Sequence, residues 1–512
     1  MTLNQTFSLA DVAPHNTSES LWCIIDSRVY DLTDFFESHP GGEFVLLQVG
    51  GKDATTDFYS LHRQAVLEKY GSLCIGAVEN EEAQVIRPHP GDLSIVPYAE
   101  PAWLTPQFES PYYNESHRRL QKAMRVFTDT WVTPEAQEKE ISGERISLGL
   151  IQRMADANIL GMRVGPGPHL HGRSILNGVL CGEDVDYFHD LIVSQELVRA
   201  TARGFWDGNM VGMTISLTAV LQHASPDLKE EVQRDCLSGK KTICLAVSEA
   251  FAGSDVANIR TAAEKTRDGQ FYVVNGTKKW ITNGTWCDYF VTAVNTGNGL
   301  SVLLIHRSEG LATKAIKTSY SPAAGTAFVT FDDVKVPVRN LLGEEGKGLK
   351  VILSNFNHER WMVTCAGVRM SRIVVEECMK WSNQRLVFGK RLAEQPVIRA
   401  KLAKMISLVE AMQAWLEHTT FQMTRMSHAS QNEHLAGPIG LLKMYCSRCA
   451  HEIAELAVHV FGGRSLTQTG MGSVIEMFHR TTEFDAILGG SEDIIGDMAV
   501  RKAMKRFPKS ML

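Results

Sequence analysis

Apolar residues recur at two different spacings along this chain of 512 residues. From about residue 107 to 238, and again from 346 to the end, they recur at the spacing typical of amphipathic helices. Between these regions, from about 240 to 345, short runs of β-branched and aromatic residues are separated by Gly and Asn, which predicts strands and turns. The order helix, strand, helix therefore predicts three successive domains.

The second helical region has three long stretches of helical spacing, and the last of them ends at Gly462 and Gly463. They cover about 351–386, 397–426 and 438–462. Ahead of the first helical region, five prolines between Glu79 and Pro106 interrupt any regular pattern and indicate a linker. We predict these domains: an N-terminal domain 1–80, a linker 81–106, a helical domain 107–239, a β domain 240–345 and a helical domain 346–512.

Composition narrows the class of protein. A single hydrophobic core seldom serves more than about 250 residues, so a chain of this length should have several domains. Hydrophobic residues make up 44%, charged residues 21%, and the mean hydropathy is -0.11, as in ordinary globular proteins. The net charge of -6 without a basic stripe argues against a nucleic-acid partner, and no apolar run predicts a membrane span.

Neither the cysteines nor the N-terminus indicates a special compartment. The closest pair among ten cysteines, Cys446 and Cys449, lacks the second pair of a zinc site, which favours ordinary thiols. The first residues lack the pattern of a transit or signal peptide.

The last three residues carry a targeting signal of the peroxisomal type. Ser510, Met511 and Leu512 differ by one residue from the Ser-Lys-Leu signal. We therefore predict a peroxisomal location, with the cytoplasm as the alternative.

Two histidines in the first 80 residues are candidates for haem ligation. His39 opens the string His-Pro-Gly-Gly, where Pro40 and the glycines are expected to end a helix, and His62 follows 23 positions later. Two neutral imidazoles can fill both axial positions of a haem iron. Taken alone, His39 would be interpreted as an ordinary turn histidine and His62 as an unrelated helical histidine.

The surrounding residues resemble cytochrome b5 over nearly the whole N-terminal region. The matching segments are Ser8–Val12, Trp22, Asp31–Thr33, the His39–Gly42 string and Gly51–Thr55. The resemblance implies a small α+β domain that holds haem b through His39 and His62. Because two axial histidines leave no open coordination site, such a domain relays single electrons.

Two further motifs border the predicted β domain. One is Val247–Asp255, with small and hydroxyl-bearing residues, and the other is Lys279–Gly284, with an indole followed by Thr. Taken alone, the first motif is compatible with an ordinary polar loop, and the second is compatible with a Trp that has only a structural role. Together with Phe331–Pro337 and Leu342–Gly348 they resemble the acyl-CoA dehydrogenase family over roughly residues 107–512, which implies a helical domain, a β domain and a C-terminal four-helix domain.

The same resemblance implies FAD as cofactor, acyl-CoA as substrate and a homodimer or homotetramer. It assigns the isoalloxazine ring and ribityl chain to Val247, Ser248, Ser254, Trp280 and Thr282. It assigns the pyrophosphate and adenine of a neighbouring subunit's FAD to Arg385, Phe388 and Gln395. His459 and Gly463 match a further FAD-contacting turn, although His459 replaces the family's Gln and Arg464 replaces a small residue or Asn.

The position of the catalytic base distinguishes two branches of that family. Most members carry Glu in a Tyr-Glu-Gly-Thr string, but the matching residues here are Leu488-Gly489-Gly490-Ser491, with Ser491 as a further cofactor contact. The isovaleryl and long-chain branch instead places Glu on an earlier helix, opposite a Gly. The Asn357-His358-Glu359-Arg360 string with Gly489 resembles that branch.

This resemblance implies that Glu359 removes the α proton and that the Gly489 N–H binds the thioester carbonyl. We predict that Arg360 helps to position the Glu359 carboxyl and the CoA end of the substrate. Burial of Glu359 is then expected to raise its pKa. The alternative is that Glu359 is a surface residue whose charge pairs with a neighbouring residue of its helix.

For the whole chain we predict an acyl-CoA dehydrogenase that passes electrons to the b5-type haem, in fatty-acid breakdown or in fungal secondary-metabolite (toxin) synthesis, with an unknown final acceptor. A flavin oxidase and a carrier protein without a base are the alternatives.

Overall fold

The computed structural model describes residues 5–85, 88–354 and 356–511. They form two compact units. The first comprises residues 1–89, 377–402 and 458–476, and the second comprises residues 90–376, 403–457 and 477–512. The predicted domain boundaries remain a prediction, because this division follows contacts in space and interleaves the chain.

The N-terminal module, residues 5–79, is a five-stranded sheet with four short helices. Its elements are β1 Thr6–Phe7, α1 Leu9–Val12, β2 Asn16–Thr17, β3 Ser20–Ile25, β4 Arg28–Asp31, α2 Glu43–Val49, α3 Thr55–Tyr59, α4 Gln64–Lys69 and β5 Cys74–Val78. The strand order is β1-β5-β4-β3-β2. Residues alternate along β3 and β4, so that Leu21, Cys23 and Tyr30 pack on one face with α2 and α4, whereas Ile24 and Val29 pack on the other.

One local prediction in this module is wrong. Gly41 and Gly42 do not end a helix, because residues 33–38 form turns and Gly42 is the residue that precedes α2. Its φ of +86° is a conformation that other residues adopt only with strain, which explains why glycine stands before this helix.

The first predicted helical region is helical in the structure, apart from one small hairpin. Its elements are α5 Glu115–Phe127, α6 Thr133–Ser142, α7 Leu148–Asp156, α8 Ile159–Met162, β6 Ser174–Ile175, β7 Leu180–Cys181, α9 Tyr187–Val198, α10 Arg203–Phe205, α11 Thr218–His223 and α12 Pro226–Leu237. Every residue from Phe188 to Val198 of α9 is buried, so this helix is the centre of the domain.

The predicted strand region forms a seven-stranded sheet. Its strands are β8 Ile243–Ala246, β9 Ala262–Lys265, β10 Phe271–Ile281, β11 Tyr289–Asn295, β12 Leu300–His306, β13 Leu311–Ala315 and β14 Ala327–Pro337. They follow the order β12-β11-β9-β10-β14-β13, and β8 pairs in parallel with β11. The long strands β10 and β14 pair antiparallel, with two irregularities, and their alternate side chains fill one core.

The last region is helical, as predicted. Its elements are α13 Gly348–Leu353, α14 Phe356–Gln384, β15 Leu386–Val387, β16 Lys390–Arg391, α15 Pro396–Arg425, α16 His428–His434, α17 Ala436–Phe461, α18 Ser473–Ile487 and α19 Glu492–Lys505. The stretches predicted at 397–426 and 438–462 correspond to α15 and α17, and the stretch 351–386 covers α14 with part of α13. Among the residues described above, no helix has the length and apolar content that crossing a membrane requires.

Candidate active site and haem site

Glu359 lies in the first turn of α14 and is 4% exposed, so the alternative of a surface charge is wrong. Its Oε2 atom is buried and has no hydrogen-bond partner among the described residues. Burial raises the pKa of Glu359 to about 7, although the nearby charges of Arg360 and Lys443 oppose that rise. A buried carboxyl oxygen without a partner is unfavourable for the stability of the fold, which indicates a functional group.

Gly489 lies beside this carboxyl, in the short connection between α18 and α19. We call residues 488–491 the Gly489 turn. A Cβ atom built on Gly489 would lie 3.5 Å from Glu359 Oε1, and the glycine has a φ of +70°. Both the backbone and the space next to Glu359 therefore favour glycine here. The pairing of Glu359 with Gly489, predicted by resemblance, is present as a spatial contact.

Arg360 and Lys443 hold the backbone of this turn. Arg360 Nε donates to Gly489 O at 2.8 Å, which leaves the neighbouring carboxyl without that partner. Lys443 Nζ donates to Ala486 O at 3.1 Å and to Gly490 O at 3.0 Å. Two cations thus fix three carbonyl groups around Gly489.

Sequence reasoning missed Lys443, which lies on α17 and is 1% exposed. Burial lowers its pKa to about 8, against the opposing charges of Asp485 and Glu492. The signal was a single cation within the apolar run Ile439–Met444. A lysine at an apolar helix position needs acceptors, but one sequence does not show which ones.

The first set of predicted flavin contacts is assembled around the start of the β domain. Lys279 N donates to Ser248 O at 2.9 Å, and Lys278 Nζ donates to Val247 O at 3.0 Å. Lys278 Nζ also donates to Glu249 Oε1 at 2.8 Å inside the fold. These bonds place the two motifs side by side, although about thirty residues of sequence separate them.

Trp280 is the exposed aromatic of this set. It is 54% exposed, with a φ of +67° at an irregularity between β10 and β14. Thr282 follows β10 and is half-buried, whereas Ser254 lies exposed in the loop before Val256–Asn258. An exposed indole beside backbone and hydroxyl groups is a donor set that fits a flat, polar-edged ring such as a flavin.

The second set of predicted FAD contacts belongs to the other compact unit, together with the N-terminal module. Phe388 is 96% exposed at the tip of the β15–β16 hairpin, where its φ of 51° and that of Gly389 at 75° form a tight turn. An aromatic ring displayed in this way fits a contact with a planar group. Arg385 and Gln395 are half-buried, His459 and Gly463 are exposed, and Ser491 precedes α19 in the second unit. All these roles stay predictions.

His39 and His62 face each other in the N-terminal module. Their ring centroids lie 6.2 Å apart. Two imidazole nitrogens at about 2 Å from one iron would place the centroids about 6 Å apart, so the pair fits haem ligation. His39 Nδ1 lies 3.0 Å from Gly42 O and His62 Nδ1 lies 3.3 Å from Phe58 O. Donation by each Nδ1–H to its carbonyl leaves Nε2 of each ring for the metal.

The neighbours of the two rings also suit a haem crevice. A Cβ on Gly41 would lie 2.7 Å from His39 Cε1, so only glycine allows that ring position. Phe58 stacks on His62 with centroids 4.9 Å apart, and Phe35 meets His39 edge-on at 5.9 Å. Burial lowers the pKa of His62, which favours the neutral ring that a metal needs.

Comparison with known proteins identifies both halves of the chain. Residues 8–79 match the cytochrome b5-like haem/steroid binding domain. The acyl-CoA dehydrogenase N-terminal, middle and C-terminal domains match residues 114–240, 244–334 and 346–504. These matches follow the order that the sequence predicts.

Two curated fungal proteins are similar over most of their length. Acyl-CoA dehydrogenase apdG of Emericella nidulans is 38% identical over 429 residues, which is 81% of this chain and 97% of that protein. Acyl-CoA dehydrogenase AFT10-1 of Alternaria alternata is 32% identical over 422 residues, with shares of 80% and 96%. The crystal structure of a probable acyl-CoA dehydrogenase from Mycobacterium abscessus superposes with a TM-score of 0.69 at 26% identity, covering 77% of this chain and all of that one.

The chain therefore belongs to the acyl-CoA dehydrogenase family and carries a cytochrome b5-like domain at residues 8–79. It is an oxidoreductase with the fold of that family, and its cofactors are FAD and haem. The predicted fold class, enzyme class and cofactors are confirmed.

Proposed function

We propose that Glu359 is the base for 2,3-dehydrogenation of an acyl-CoA thioester. The observation that carries this proposal is the buried carboxyl oxygen without a partner beside Gly489. Ionised Glu359 removes the α proton. Arg360 and Lys443 hold the Gly489 turn so that the Gly489 N–H binds the thioester carbonyl, where negative charge develops. Bound FAD would accept the hydride that leaves the β carbon.

This assignment predicts how the reaction depends on pH. Because Glu359 must be ionised and its pKa is about 7, kcat/KM should rise with pH through about 7. At lower pH the carboxyl is protonated, and kcat/KM should fall about tenfold per pH unit. Steady-state assays with an artificial electron acceptor measure this profile. A flat profile between about pH 5.5 and 8 would exclude Glu359 as the titrating base.

We propose further that the reducing equivalents leave through the haem of the N-terminal module. Support comes from the geometry of His39 and His62, since a bis-histidine haem has no open site for substrate chemistry. This role fits a domain fused to a dehydrogenase.

The proposed location is the peroxisome, and the proposed assembly is a homodimer or homotetramer. Ser510 and Met511 of the C-terminal tripeptide are exposed, and Leu512 lies outside the described residues. Microscopy of a fluorescent protein that ends in these three residues tests the location. Either fatty-acid oxidation or fungal secondary metabolism is compatible with the chemistry.

An anaerobic titration with acyl-CoAs of several chain lengths tests the proposed function. The flavin band and the haem α band are followed together in the purified holoprotein. Flavin bleaching followed by haem reduction is the expected result. Flavin bleaching without haem reduction would contradict the relay, and rapid reoxidation by added oxygen alone would then favour an oxidase. Bound cofactors that stay oxidised with every acyl-CoA would favour a carrier protein.

A further inference from the structure

Arg63 follows the haem ligand His62 directly and contacts two separate segments of the C-terminal helical region. Its guanidinium forms an ion pair with Glu377 of α14. Its Nη2 atom also donates to Met471 O at 3.0 Å. All three residues belong to the same compact unit. A single side chain therefore joins the haem-binding end of the N-terminal module to two C-terminal segments.

The partner carboxylate is placed where it needs this cation. The Glu377 side chain is 7% exposed, and a second cation, Lys380, lies one turn later on α14 with its Nζ atom 3.5 Å from Glu377 Oε1. Burying a carboxylate is unfavourable unless charge and hydrogen bonds compensate it. Without the N-terminal module, this carboxylate would lose the Arg63 guanidinium.

The second contact is made by a loop, residues 464–472, which we call the docking loop. Gly472 packs directly under the Arg464 carbonyl, and a Cβ atom at position 472 would overlap that carbonyl. The Arg464 guanidinium lies 5.0 Å from the centre of the Trp381 ring, which is buried and stacks on Phe461. The loop is thus braced against α14 and presents the Met471 carbonyl in a fixed position.

We propose that Glu377 and the docking loop form a dedicated docking surface for the N-terminal module of the same chain, and that Arg63 is the residue that locks it there. The module is then held in one position with its His62 side against the C-terminal helices, and does not swing on a loose tether. Arg464, which departs from the family pattern, belongs to this surface.

Hydrogen exchange of the oxidised holoprotein tests the docking without any turnover. Arg63→Glu should increase exchange in the docking loop on the order of tenfold, because two carboxylates then face each other in a partly buried contact. Lys69→Glu makes the same charge change on an exposed position of the module and should leave exchange there unchanged. The double variant Arg63→Glu/Glu377→Arg should restore protection. Wild-type protection in Arg63→Glu would overturn the proposal.

A second readout rests on the proposed flavin-to-haem function. In Arg63→Glu, haem reduction after mixing with acyl-CoA should slow, whereas flavin reduction should match the wild type. If the wild-type haem is never reduced, the relay fails, while the exchange result still judges the docking surface. Should Arg63→Glu not retain haem, Glu377→Lys gives the same test from the other side, and unchanged exchange in that variant would equally overturn the docking surface.

Discussion

Glu359→Gln should lower the rate at which acyl-CoA reduces the flavin by a factor of about 10² to 10⁴, which is the range expected when a general base is lost. Glutamine has the size of glutamate but cannot accept the α proton. The carboxyl makes no hydrogen bond through Oε2 among the described residues, so its loss leaves no protein donor without an acceptor there. FAD content and acyl-CoA binding should therefore remain, and stopped-flow bleaching of the flavin band measures the loss.

The matched control for this experiment is Glu376→Gln. Glu376 is also a buried carboxylate on α14, but it accepts a hydrogen bond from Ser94 Oγ at 2.7 Å and lies far along the helix from the Gly489 turn. Replacing Glu376 should lower the stability of the protein and leave the rate of flavin reduction close to that of the wild type. A Glu359→Gln rate within about threefold of wild type would mean that another group removes the proton.

The sequence predicted the order of the elements well, because apolar spacing is a local property. The helices α15 and α17 correspond to the predicted stretches 397–426 and 438–462 within two residues.

The prediction that Gly41 and Gly42 end a helix was wrong for a local reason. A His-Pro-Gly-Gly string indicates a turn, but its glycines suit the start of the next helix as well as the end of the previous one.

The candidate site was predictable only where a resemblance joined distant positions. Glu359 and Gly489 are 130 positions apart, and their contact was expected from a paired substitution in a known family. Lys443 had no such signal, because its acceptors are backbone carbonyls, which every residue has. The contact of Arg63 with Glu377 joins surfaces of two domains, and apolar periodicity carries no information on such contacts.

His62→Ala should remove haem from the protein while the dehydrogenase half keeps its flavin. Loss of groups that merely orient a metal ligand costs about 10- to 100-fold in metal affinity, so loss of an axial ligand should cost at least that much. The expected result is a purified protein with a normal flavin band and little or no haem α band. Flavin reduction by acyl-CoA should stay at the wild-type rate, because the proposed base and the Gly489 turn lie in the other compact unit.

His15→Ala provides the control within the same module. His15 stacks on Trp22 with centroids 3.5 Å apart and its Nδ1 pairs with Ser20 Oγ, so it has a structural environment distinct from the ligand pair. This variant should retain haem, even if its stability falls. His39→Ala should behave like His62→Ala, because in the proposed haem site each ring would offer its Nε2 atom while its Nδ1 contacts a backbone carbonyl. Retention of an unchanged bis-histidine haem spectrum in either ligand variant would show that the iron is held by a different pair.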